Sequence, residues 1–146
     1  MNTNSQVTKS IIVNGDVDHL YTTWADFSNH PQFMENITSV TKAGDDTNRW
    51  VMEGPLNKKF EWITKTTTKE PNKRIGWKTI EGDLKKSGQV TFTGLPKGQA
   101  EITVTSQTIP PEDLVDKAAL QFFADEEAQL EKDLRNFKAL IEGRSA

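Results

Sequence analysis

The sequence predicts an α+β fold: an antiparallel sheet of about seven strands, covered on one face by a long C-terminal helix, with two short helices after the first strand. Three observations predict it. Apolar and polar side chains alternate with a period of two through most of residues 37–109. Short turn-forming clusters punctuate that region at hairpin spacing. After Pro110-Pro111 the apolar period switches to about 3.6.

Taken in order, residues 6–14 (QVTKSIIVN) carry β-branched side chains and end on Asn14-Gly15-Asp16, a turn signal. From Asp16 to about Phe27 the pattern is helical. Asp16 can cap, and Val17, Leu20, Tyr21 and Trp24 fall on one face at spacings of three and four. A second short helical turn follows, with Pro31 in a first-turn position and Phe33 and Met34 as apolar contacts. Strands are then expected near 37–43, 48–54, 58–69, 73–80, 87–94 and 99–109. Gly44-Asp45-Asp46, Gly54-Pro55-Leu56-Asn57, Pro71-Asn72, Glu81-Gly82-Asp83 and residues 94–98 separate them. Phe60 and Trp62, Ile75 and Trp77, Val90 and Phe92, and Ile102 and Val104 alternate with polar or small neighbours, so one face is apolar and the other wet. A one-residue slip would expose Trp62, Trp77 and Phe92 together, so all three should face the helix.

One helix over roughly 112–142 supplies the cover. Glu112, Asp113 and Asp116 place negative charge at its N-terminus, and Gly143 stands where a glycine cap belongs. Val115, Ala119, Phe122, Leu130, Leu134, Phe137 and Ile141 form its apolar stripe, with Glu126 as the one interruption. Glu131 and Arg135 stand in the favoured i, i+4 order on the outer face. About 30 helical residues span about 45 Å, enough to cross a small sheet.

The 146 residues suit one domain, 34% hydrophobic and 27% charged, with 4 Trp and 7 Phe for a core. A net charge of −3 argues against nucleic-acid binding through bulk positive charge. Without cysteine there is no disulfide, thiolate metal site or cysteine nucleophile, and two histidines cannot build a multi-histidine metal site. Neither a metal nor a cofactor is expected. The polar opening and the lack of a long apolar run predict no signal peptide and no transmembrane segment, hence a cytoplasmic protein. Oligomeric state is not legible.

The stretches 24–40 (WADFSNHPQFMENITSV), 70–77 (EPNKRIGW) and 87–92 (SGQVTF), with the Pro110-Pro111 junction, resemble the polyketide cyclase/dehydrase-like family of the START-like superfamily. The resemblance is collinear over roughly residues 6–142. It implies the helix-grip fold, a curved sheet wrapped around the C-terminal helix with a cavity for hydrophobic ligands between them. Members similar to this chain include aromatase/cyclases, coenzyme-Q-binding proteins and lipid carriers, so the fold alone does not choose a function.

No nucleophile elbow, zinc-protease motif, phosphate loop or dinucleotide fingerprint is present. Chemistry would have to come from isolated polar groups. His19 lies off the helical stripe and reads as solvated. His30, before Pro31, reads as a turn or capping contact near the pocket mouth. Asp26 reads as a cap. Arg49, Glu53 and Arg74 fall on the wet alternation. Tyr21 and Glu126 are the two weak catalytic candidates: the sole tyrosine as a hydrogen-bond donor, and the carboxyl that interrupts the helix stripe. The stronger signal is aromatic. Trp50, Trp62, Trp77, Phe92, Phe122 and Phe123, with Met34 and Met52, should converge between sheet and helix as ligand-binding walls.

Three functions compete. The first is binding of a small hydrophobic molecule (lipid, quinone or polyketide-like) without chemistry. The second is a cyclase or dehydratase working in the same cavity. The third is docking of a protein partner through the acidic helix face. The few convergent polar groups visible in sequence favour the first.

Overall fold

The computed structural model describes residues 6–111, 114 and 117–143. Seven strands form one sheet: β1 (Gln6–Asn14), β2 (Ile37–Gly44), β3 (Thr47–Glu53), β4 (Lys59–Glu70), β5 (Arg74–Gly82), β6 (Lys85–Leu95) and β7 (Gln99–Ile109). Their order is β1-β7-β6-β5-β4-β3-β2, with every neighbouring pair antiparallel. Five of the six pairings join consecutive strands. The sixth places the first strand beside the last, so α1 (Val17–Ala25) and the 3-10 turn Phe27–Gln32 must carry the chain from one sheet edge to the other.

Register irregularities between Ile63/Thr64 and Thr66/Thr68, and between Ile37/Ser39 and Lys42/Gly44, bend the sheet locally. Its concave face carries the predicted set. Phe60, Trp62 and Thr64 are buried on β4, Val90 and Phe92 on β6, and Ala100, Ile102 and Val104 on β7. Trp77 is partly buried against the core. The convex face is wet, and there Arg49 pairs with Glu61 and Arg74 with Glu70. Gly82 has φ +136 and a Cβ there would lie 2.4 Å from the Trp62 Cα, so only glycine lets β5 end beside β4. Gly88 serves a different purpose. The Trp77 indole lies across it, 2.9 Å from where a Cβ would stand.

The single C-terminal helix is a correction. The described helical residues form α2 (Lys117–Ala124) and α3 (Glu126–Ile141), separated at Asp125, whose ψ is 21. Phe122 and Phe123 both pack inward, in edge contact with each other, and Phe123 also meets Phe60. Successive helical positions lie about 100° apart, so the pair covers a wide inward arc of α2 just before the break. The predicted N-terminal charges Glu112, Asp113 and Asp116, and Val115, lie outside the described residues.

Along α3, Leu130, Leu134, Phe137 and Ile141 are buried. The helix is tied to the edge strand by Lys138 Nζ, which donates to the Ile12 carbonyl (2.9 Å), and by the Lys9–Glu127 ion pair (3.0 Å). Glu131 and Arg135 meet at 3.4 Å as their spacing predicts, and Gly143 takes a left-handed φ of 66. At the start of α1, Asp16 holds the N-cap position without a side-chain bond. Asp26 does cap, accepting from the Ser28 backbone N–H. Pro31 falls inside the 3-10 turn rather than at a helix start.

Candidate functional site: a walled cavity under the C-terminal helices

A cavity of about 120 Å³ lies between the concave face, the segment around the 3-10 turn, and α2 and α3. From the sheet, Trp50, Met52, Trp62 and Trp77 form its floor; Met34, Phe122 and Phe123 close it from the other side. Trp50 and Trp62 face each other across β3 and β4, stacked within 8° at 6.0 Å, and the Trp50 indole donates to Thr64 Oγ1 (2.9 Å). Seven of the eight predicted wall residues therefore meet. Phe92 is the exception: it is buried against Tyr21, ring centroids 5.6 Å apart, outside the lining. Tyr21 shares that position, so its hydroxyl is not placed to reach a molecule in the cavity.

The polar part of the wall was largely missed from sequence. Glu126 does reach the cavity, where it accepts hydrogen bonds from Ser106 Oγ (3.0 Å) and Thr108 Oγ1 (2.8 Å). It is accompanied by Gln129 and Asp133, three and seven residues further along one face of α3. Gln129 donates to Asp133 Oδ1 (2.9 Å). Burial pushes the Asp133 carboxyl up to about 7, against the smaller opposing effects of that bond and of Lys86. Across the cavity, Lys86 holds its ammonium 5.8 Å from the centre of the Trp62 ring. Burial lowers the lysine, and the attraction of Glu126 and Asp133 opposes that shift. The expectation of few convergent polar groups is therefore corrected. An acid that titrates near neutrality stands in the same aromatic chamber as a partly desolvated amine.

Both signals were present. Lys86 shares the inward parity of Gly88, Val90 and Phe92, but the strand was expected to begin one residue too late to include it. Asp133 lies two turns beyond Glu126, between two stripe leucines.

His30 is the second correction. It makes the expected turn and capping contacts, but not at a mouth: it is 1% exposed, in the cavity wall, between the rings of Trp24, Phe27, Phe33 and Trp50. Its Nε2 is 3.0 Å from the Trp24 carbonyl, and burial lowers its pKa to about 4, so the ring is neutral. His19 is exposed, as are Arg49, Glu53 and Arg74 on the convex side.

An antiparallel sheet gripping C-terminal helices over an aromatic cavity defines the START-like, helix-grip class. The chain belongs to the family described as "Polyketide cyclase / dehydrase and lipid transport", whose pattern matches residues 13–135. An uncharacterized 17.2 kDa protein of Streptomyces lincolnensis is 29% identical over 143 residues, covering 96% of this chain and 91% of that one. A Deinococcus radiodurans crystal structure superposes with a TM-score of 0.74 at 26% identity, covering 95% of this chain and 99% of its own. An aromatase/cyclase from Streptomyces sp. R1128 superposes at 0.78 with 16% identity, covering 98% and 96%, which shows a shared fold. Among the described residues, no helix is long and apolar enough to cross a membrane, and no group of three or more His, Asp or Glu could hold a metal ion.

Proposed function

We propose that this chain binds a small hydrophobic molecule in the aromatic cavity and acts by holding it rather than by transforming it. The carrying observation is the chamber itself: about 120 Å³ walled by Trp50, Trp62, Trp77, Phe122 and two methionines. That size is close to the ~150 Å³ apolar cavity known to accept benzene and below the roughly 300 Å³ at which drug-sized sites begin. One ring or a short chain fits the closed form. A lipid or polycyclic molecule would require α2, which buries only Ala119 completely, to move outward. The polar cluster is largely self-satisfied, since Glu126 already accepts two hydroxyl bonds and Asp133 one amide bond.

One observation favours the cyclase/dehydratase alternative: Asp133, at about 7, is poised to exchange a proton near neutral pH. Native mass spectrometry of freshly purified protein, followed by turnover assays with polyketide-like substrates, separates the two. The binding reading expects an apolar molecule to co-purify unchanged and no turnover. Turnover that Asp133→Asn abolishes while binding persists would make the protein an enzyme.

A further inference from the structure

Glu126, Gln129 and Asp133 each bond to a neighbour in the cavity wall, but the Lys86 ammonium does not. Among the described residues it has no hydrogen bond and no ion pair, and it rests 5.8 Å from the centre of the Trp62 ring. The register explains why. Lys86 stands directly opposite Thr108 on β7, and the Thr108 and Ser106 hydroxyls already hold the Glu126 carboxylate. Asp133 is held by Gln129. The lysine backbone is pinned on its other side, where Thr79 Oγ1 accepts from its N–H (2.8 Å) and donates to its carbonyl (3.0 Å). The strand therefore fixes the stem and leaves the tip unbonded.

An ammonium without an acceptor in an indole-walled chamber is costly, so the neutral amine is favoured there. Burial lowers the lysine below its ordinary 10.5, with the charges of Glu126 and Asp133 opposing the shift. A neutral amine carries a free lone pair and is a nucleophile. Lys86 lines the cavity and is only partly buried as a residue, so its tip is open to a molecule held there.

We propose that Lys86 captures an apolar aldehyde or ketone in the cavity as a reversible imine. This rests on the ligand-binding reading of the cavity and names the group that would hold the ligand. The Nζ lone pair attacks the carbonyl carbon, and the carbonyl π-electrons move to its oxygen. A proton passes from the nitrogen to that oxygen, giving a carbinolamine. A second proton lets the hydroxyl leave as water while the nitrogen lone pair forms the C=N bond. The iminium nitrogen then returns a proton, so amine and carbonyl give imine and water with no oxidant or reductant. Asp133, in the same chamber and raised to about 7, can give the one proton and take the other near neutral pH. Water re-entering the chamber reverses the sequence and releases the ligand unchanged.

Incubating the intact protein with benzaldehyde and cyanoborohydride at pH 7, followed by peptide mapping, tests the proposal. Hydride adds to the imine carbon and fixes one benzyl group on the nitrogen that formed it. Exposed lysines, at about 10.4, stay almost wholly protonated and react slowly. Lys86 should be labelled about tenfold faster than any of them, since each unit by which its pKa is lowered gives tenfold more free amine. Phenol, a ring of similar size without a carbonyl, should slow that labelling by occupying the chamber. Lys86→Arg, which keeps the charge, and Lys86→Met, which keeps the stem, should both lose the fast adduct. Labelling of Lys86 no faster than of exposed lysines, with phenol still binding saturably, would overturn the imine and leave the cavity reading standing. Fast labelling that phenol does not slow would also overturn it, because the amine would then react outside the chamber. Saturable binding of neither phenol nor benzaldehyde would overturn both readings.

Discussion

Trp24→Ala should lower the unfolding free energy by about 3–5 kcal/mol, the range for deleting a fully buried large aromatic. Trp24 is the hub of the apolar interior. Its ring meets Phe33 and Phe137 at 5.3 Å, His30 at 4.9 Å and Trp77 at 6.5 Å, so it joins the crossing segment, the sheet and α3. Alanine leaves a hole where Phe33, Phe137, His30 and Trp77 all lose their shared contact. Trp77→Ala removes an equally large ring from a partly exposed position at the cavity, so its effect on stability should be smaller and its effect on ligand binding larger. Urea unfolding of both variants checks the ranking. A loss below about 1 kcal/mol for Trp24→Ala would mean that the interior is not organised around it.

Asp133→Asn should stabilise the protein above pH 7 by on the order of 3 kcal/mol and change little below pH 4. The carboxyl has an ordinary value of 3.8 and is raised to about 7 by burial. The unfolded chain therefore releases this proton first. Stability is intact below 3.8, falls as pH rises and levels off above about 7. Asparagine removes that loss while keeping the shape, although Lys86 gives up part of its attraction. His30 acts in the opposite direction. Its value falls from 6.5 to about 4, so its contribution is complete above 6.5 and is lost as pH drops toward 4. The two slopes oppose each other between about 4 and 6.5, and Asp133→Asn should expose the rising His30 limb. Glu35, held low by its bond from Lys132, is present in both proteins, and its charge is a minor contributor to raising Asp133. A difference curve that is flat from pH 4 to 8 would contradict the buried, proton-holding Asp133.

The strands were legible because alternation and turn chemistry agreed at most boundaries, the start of β6 excepted. Asp46 and Asn72, for instance, take the left-handed conformation in short turns that their residue types announce. The aromatic floor was legible for the same reason, since Trp50, Trp62 and Trp77 each follow the inward parity of their strand. Less visible was anything that depends on two elements meeting. Phe92 obeys the alternation yet faces Tyr21 on α1, because position along the strand, as well as parity, decides which part of the concave face a side chain covers. The break at Asp125 has no glycine or proline to mark it. His30 sits in a segment that reads as a short helical turn, and its burial comes from four rings that meet only when α1, the 3-10 segment and β3 come together.

The central claim is that the chamber under the C-terminal helices takes up a ring-sized molecule, and methyl-labelled methionine tests it most directly. Met34 and Met52 line the chamber, and Met1 lies outside the described residues. Titration with phenol, followed through the methyl resonances, should shift Met34 and Met52 saturably and together. Methyl signals that stay fixed, or that drift linearly without saturating, would contradict the account.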